Sequence, residues 1–296
     1  MATVVNMGTK IPTELVERMF NTVRGESALA KLSGQTPIPF VGSTDMVFSL
    51  DGEASIVGEN QPKVHGGADI QPVTIRPVKF EYGARFSKEM WKAGEEKRLD
   101  ILRQFVDGAS KKFARGLDIG AIHGLNPKTM EQSTVVGDNY FEAKVTQAVV
   151  YDATSADENV SDAVAQIETA GAMANGIAMS TAMKNAIAKL NVNGAMKYAD
   201  FAWGSAPANL GDMTLAVNPT VGMSKTGAEK TLRALVGDFS AFKWGYTDSI
   251  EYEVIQYGDP DNTGVDLAGH NQIYLRAEAY IGWGILAPAF FAKVEA

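Results

Sequence analysis

Between residues 272 and 281 apolar and polar positions alternate. Ile273, Leu275, Ala277, Ala279 and Ile281 stand between Tyr274, Arg276, Glu278 and Tyr280. A period of two puts every second side chain on one face, so this stretch predicts a strand with one buried face. Between 95 and 122 the period changes. Leu99, Leu102, Phe105, Val106, Ala109, Phe113 and Leu117 recur at helical spacing, with Asp100, Arg103, Asp107, Lys111 and Arg115 on the other side; this predicts one long amphipathic helix. A shorter helix is predicted in the first 35 residues, where Leu15, Val16, Met19, Phe20 and Val23 form a stripe after Pro12 and before Gly25. Further along, the pattern predicts a helix over 162–174 capped by Ser161, a buried strand at 176–180, a helix capped by Ser180, a strand at 212–217, and strands on either side of a turn at Gly237–Asp238. Strands and helices occur together with no internal repeat and no low-complexity tract, and the class expected is α+β.

The longest unpatterned stretch is DGEASIVGENQPKVHGGADIQP, Asp51–Pro72, twenty-two residues between strand-like runs at 45–50 and 73–82. A hairpin turns in two to five residues. This loop has no helical period and no core of its own, so its partners are expected elsewhere. Pro77 marks the following strand as an edge or a bulge, because it cannot donate to a ladder.

Composition narrows the function. A chain of 296 residues can bury a sizeable core in one or two domains. It contains no apolar run of about 18 residues, so no membrane helix is expected, and its start does not read as a signal peptide. It has no cysteine, which removes disulfides and thiolate chemistry. A net charge of −8 argues against a protein whose task is to grip nucleic acid.

Motifs that carry chemistry are few. GWGILA, 282–287, matches a loose dinucleotide pattern, but Pro288 follows where a helix would be needed, so the glycines are expected in a turn between two strands. DPDNTGVDLAGH, 259–270, opens like a calcium loop with Asp259, Asp261 and Gly264. Its twelfth position is His270 rather than glutamate, and a solvated acidic loop is expected. His65, His123 and His270 lack metal-ligand spacing and are expected on the surface or in loops. Asn159-Val160-Ser161 forms a glycosylation triplet better explained by the helix cap. No nucleotide-binding, hydrolase or metalloprotease motif occurs, so neither a cofactor, a metal nor an enzymatic centre is expected.

Four stretches taken in order resemble the major capsid proteins of tailed bacteriophages, the Hong Kong ninety-seven fold. They are IPTELVERMFNTVRGESALAKL near the start, the long loop running into FEYGARFSKEMW, ANGIAMSTAMKNAIAKLNVNGAMKY, and LVGDFSAF with the terminal RAEAYIGWGILAPAFFAKV. The resemblance implies an N-terminal arm (1–35) and a peripheral segment (36–123) carrying an extended loop (45–82) and a spine helix (95–122). It further implies an axial domain (124–245), a peripheral return segment (246–264) and a C-terminal strand region (265–296). It implies many copies assembling as pentamers and hexamers into an icosahedral head. That head encloses double-stranded DNA without sequence-specific binding, is built in the host cytoplasm and ends as the virion. A portal, a decoration protein on some heads and, since the chain opens at its own Met with the arm, a separate scaffolding protein unless none is needed are the implied partners; no membrane is expected. Some members crosslink a loop lysine to an asparagine of another subunit with help from a glutamate. Lys63, Asn271 and Glu278 are the matching residues, the last two seven apart. Two other readings are an encapsulin-like nanocompartment shell and, more distantly, an enzyme or small-molecule-binding domain using the long loop as a lid.

Overall fold

The computed structural model describes residues 22–23, 26–51, 54–62, 65–225, 227–228, 231–247 and 250–296. The helix expected over 15–23 and Lys63 lie outside them, apart from Thr22 and Val23, which are helical. The chain enters through a short helix α1 (Ala28–Leu32), then a ribbon of β1 (Ser43–Asp51) and β2 (Gly67–Ile75). β3 (Pro77–Ser87), α2 (Lys88–Lys92) and the long α3 (Glu95–Asp118) follow, and a π-helical turn, Ile119–His123, closes α3. Next come α4 (Phe141–Lys144), β4 (Ala148–Val150), α5 (Ala156–Thr169), β5 (Gly176–Met179), α6 (Thr181–Ala188) and the hairpin β6 (Asn191–Val192) and β7 (Ala195–Met196). The remaining strands are β8 (Asn209–Leu210), β9 (Met213–Val217), β10 (Leu232–Gly237), β11 (Phe242–Tyr246), β12 (Glu251–Ile255), β13 (Gln272–Ile285) and β14 (Phe291–Glu295).

Two larger sheets organise these elements. One has the order β4-β14-β10-β5-β9-β8. Its strands alternate between two cores: Ile177, Met179, Ala234, Val236, Ala292 and Val294 pack with α5 and α6, and Ala178, Leu235 and Phe291 pack with α3 and α1. The other sheet is built on β13, which pairs with β3 along one edge and with β11 and β12 along the other. The alternation read from the sequence is present. Ile273, Leu275, Ala277, Ala279 and Ile281 are all buried in the core shared with α3. Phe105 of that helix stacks on Tyr82 at 6.1 Å and meets Phe86 and Tyr252 edge-on, fixing it across β3 and β12. Phe105, Val106, Ala109, Phe113 and Leu117 are buried, the stripe the sequence predicts.

Four expectations change. Helix α5 begins at Ala156 after Ser155, not after Ser161, which sits inside it and bonds back to the Asp157 carbonyl. The buried stripe Ala156, Val160, Ala163, Ile167 extends the helical period a turn earlier, and acidic Asp157 and Glu158 suit a first turn. Asn159 is buried and accepts a hydrogen bond from the Asp152 amide at 2.8 Å, so the triplet is internal packing. The 73–82 run divides at Arg76. Its first part joins the ribbon, and Pro77 opens the edge strand β3, satisfying the proline's lack of a donor. Gly282 and Gly284 are not turn residues but lie within β13, because a Cβ at Gly282 would stand 3.0 Å from Ile38 Cδ1 and one at Gly284 2.6 Å from Ile75 Cγ1.

Candidate functional site

The stretch read as a 22-residue loop is strand at both ends. β1 and β2 pair antiparallel over nine residues each, Ser43 opposite Ile75 through Asp51 opposite Gly67, leaving 52–66 as the connection. The root of the ribbon is tied to the body. Ile75 is buried and both Ile75 and Val73 reach the bare backbone of Gly284, while Lys243 Nζ holds Asp45 at 2.9 Å. Its other face has no such cover among the described residues. Phe48 pairs with Ile70 and Met46 with Pro72, and Met46, Phe48 and Ile70 are 59%, 66% and 51% exposed. Ile56 and Val57 in the connection are exposed too. A two-stranded ribbon is marginal alone in water, and a row of apolar side chains on it is an unfilled contact surface. Trp203 is a second exposed anchor, 98% accessible and on left-handed backbone.

Of the three crosslink residues, Asn271 and Glu278 are described, and they do not meet within one subunit. Asn271 lies just before β13, exposed, and its Nδ2 donates to Glu89 Oε1 at 3.1 Å. Glu278 is within β13, between Lys79 Nζ at 2.8 Å and Arg276 Nε at 3.3 Å; the hydrogen bond from Lys79 raises that lysine's pKa. Seven residues of extended chain span about 23 Å, so any joint site would draw the groups from different subunits.

The acidic stretch 259–270 is not simply solvated. Asp259 Oδ1 receives Arg85 Nη2 at 2.7 Å, and Asp261 accepts from Arg85 Nε at 2.8 Å and, more closely, from Nη2. The Arg85 guanidinium holds the Asp261 carboxyl down at about 2. A depressed folded pKa means the stabilisation is complete above the ordinary value near 3.9 and is lost as pH falls through about 2. A carbon-13 titration of the Asp261 carboxyl in subunits should therefore show a midpoint near 2. A midpoint close to 4 would mean the clasp is open in solution.

His123 corrects the expectation of a surface histidine. It is buried in the π turn, with Nε2 2.9 Å from the Thr220 carbonyl and Nδ1 3.1 Å from Glu142 Oε1. His65 and His270 are exposed. The sequence reading missed Asp118, the buried last residue of α3. Its carboxyl accepts from Ser27 Oγ at 2.6 Å, Thr220 Oγ1 at 2.7 Å and the amides of Ala28 and Leu29. Burial pushes its pKa up while these donors oppose the rise. Asp118 thus caps α1 from a distance and pins it to the end of α3. A groove of about 890 Å³ runs between β3, α3 and residues 125–136, and its lining includes Phe80, Tyr82, Lys112, Arg115 and Lys128.

The features on which the comparisons bear are an anchored ribbon with an exposed apolar face and a two-sheet body. The phage capsid family model matches residues 8–296, and the chain belongs to that family. Its fold is similar to a structure from Mycobacterium phage Ogopogo, with 29% identity, 91% of this chain and 92% of that one covered, and a TM-score of 0.79. A structure from Gordonia phage Cozz is similar at 26% identity, 91% and 86% coverage and a TM-score of 0.74. The capsid of a native GTA particle shares the fold at 14% identity, with 93% and 90% coverage and a TM-score of 0.65. No curated protein sequence matches. The protein is a structural component of a capsid shell, and its place is the virion capsid.

Proposed function

We propose that this chain is the major capsid protein of a tailed phage, assembling as pentamers and hexamers into an icosahedral head around double-stranded DNA. Assembly takes place in the host cytoplasm with a separate scaffolding protein, a portal and, on some heads, a decoration protein. The observation that carries the reading is the ribbon. Its root is fixed on its own subunit and its outer face, Met46, Phe48 and Ile70, is left for a neighbour. The N-terminal arm, the 95–122 spine and the 124–245 axial region are assigned their roles by the same reading. A net charge of −8 fits a wall that confines DNA without binding it tightly. Electron microscopy of the purified protein tests it: closed shells of many subunits are expected, and a protein that stays monomeric or dimeric under all assembly conditions would refute it.

Covalent closure belongs to the same proposal. Lys63 of one subunit attacks the Asn271 side-chain amide of a second, forming an isopeptide bond and releasing ammonia, with Glu278 of a third accepting the lysine proton. An unperturbed lysine has a pKa near 10.4, so the neighbours must desolvate it. Mature heads boiled in detergent should give a ladder of multimers that disappears in Lys63→Arg. A lone monomer band from wild-type heads would leave the strap held by noncovalent contacts.

A further inference from the structure

Two aspartates in a loop are not in themselves a site. What sets 259–265 apart is the atom at its centre, which comes from another element. Arg85 Nη2 is surrounded by Asp259 Oδ1 at 2.7 Å, Thr263 Oγ1 at 2.7 Å, the Val265 carbonyl at 3.0 Å and, closest, Asp261 Oδ1. A guanidinium nitrogen of this kind carries two hydrogens, so four oxygens cannot all lie along N–H directions. Asp261 Oδ1 completes a planar fork with Nε, which donates to Asp261 Oδ2 at 2.8 Å, and Nη1 donates to Gln272 Oε1 at 3.1 Å. The other three oxygens crowd the one N–H that is left, as ligands gather round a charge.

The order of the four oxygens carries further information. They come from the first, third and fifth side chains and the seventh backbone carbonyl of a single loop. Calcium loops present ligands in that order, with glycine sixth for the sharp turn. Gly264 is sixth here, at φ 80°, and the second oxygen of Asp259 accepts its amide at 2.6 Å. The twelfth position departs from that pattern. His270 turns Nδ1 to the Asp266 carbonyl at 2.9 Å and supplies no bidentate carboxylate.

We propose that residues 259–265 form a cation cage of the calcium-loop type in which the Arg85 side chain stands where a divalent ion would, so that Ca²⁺ enters once that side chain is removed. Two carboxylates and two neutral oxygens match the charge of a divalent ion. Ca²⁺ takes six to eight oxygens in flexible geometry, so water would complete its shell, whereas Mg²⁺ demands a near-ideal octahedron that this loop does not supply. With the twelfth ligand missing, the affinity belongs at the weak end, a Kd on the order of 10⁻⁴–10⁻³ M. In the natural chain the cage is closed by a residue of β3. The connection from β12 to β13 is thereby fastened across the sheet by the chain itself, whatever the calcium concentration outside.

The test compares wild type with Arg85→Ser and Arg85→Gln, using calcium chloride as the titrant in calorimetry and melting each protein with calcium or with a chelator. Wild type should show no binding, and its Tm should ignore both additives. Arg85→Ser should bind one Ca²⁺ per subunit and melt higher with calcium, and a further Asp259→Asn should abolish both effects. A variant that folds only when calcium is present also supports the cage. The proposal is overturned if neither variant responds to calcium, if wild type binds it as tightly as Arg85→Ser, or if both variants fail to fold with calcium as well as without.

Discussion

Replacing Phe48 and Ile70 together with aspartate is expected to leave a folded subunit that builds no shells. Both side chains are more than half exposed on the subunit, so their loss removes little internal packing, and surface changes of this kind stay within about 0.5 kcal/mol of wild type. The ribbon root, held by Ile75 and the Asp45–Lys243 pair, is untouched. Between subunits the balance differs. Burying a large apolar side chain contributes about 1.5–3 kcal/mol, and an aspartate buried in its place adds a desolvation penalty. Losing even about 2.8 kcal/mol per contact weakens each contact roughly a hundredfold, and a shell repeats that contact at every subunit. Sedimentation should find small species with a wild-type melting curve. Shells in normal yield would show that this face meets solvent in the head. Unfolded subunits would show that the ribbon packs on its own body more than its exposure indicates.

Phe113→Ala is expected to act at the opposite level, on the fold itself. Phe113 is 2% exposed in the core between α3 and the β13 sheet. Truncating a buried phenylalanine costs about 3–5 kcal/mol through lost transfer energy and the cavity left behind. A domain is stabilised by only about 5–15 kcal/mol, so the variant should unfold at markedly lower denaturant concentration or accumulate as insoluble chains. Equilibrium unfolding of disassembled subunits measures it directly, and a wild-type midpoint would mean that this helix face is not core.

What the sequence made legible were the elements whose signal is local. The alternation in β13 and the helical stripe of α3 are periods within a single segment, and the structure reproduces both. β2 was hidden because GADIQP carries glycine and proline and little β-branching; those residues become a strand through pairing with β1, a partner known only from the fold. Asp118 was hidden for a related reason. One carboxylate at the end of an amphipathic helix looks like a surface charge, while its hydroxyl partners, Ser27 and Thr220, lie 91 and 102 residues away. Arg85 likewise sits in an ordinary strand, and Asp259, Asp261 and Val265 reach it across 174 to 180 positions. The alternation in β13 also concealed why its two glycines are needed, since the crossing chain at Ile38 and Ile75 is far off in sequence.

Two strands late in the sequence are interior to their sheets. β13 lies between β3 on one side and β11 and β12 on the other, and β14 lies between β10 and β4. Until residues 272–295 leave the ribosome, neither sheet can be completed, and pairing that spans such distances forms late. A prematurely terminated chain therefore lacks the frame on which the ribbon and α3 are mounted. A fragment that stops before Gln272 is expected never to present the ribbon to a neighbour, so that incomplete chains would be kept out of a shell.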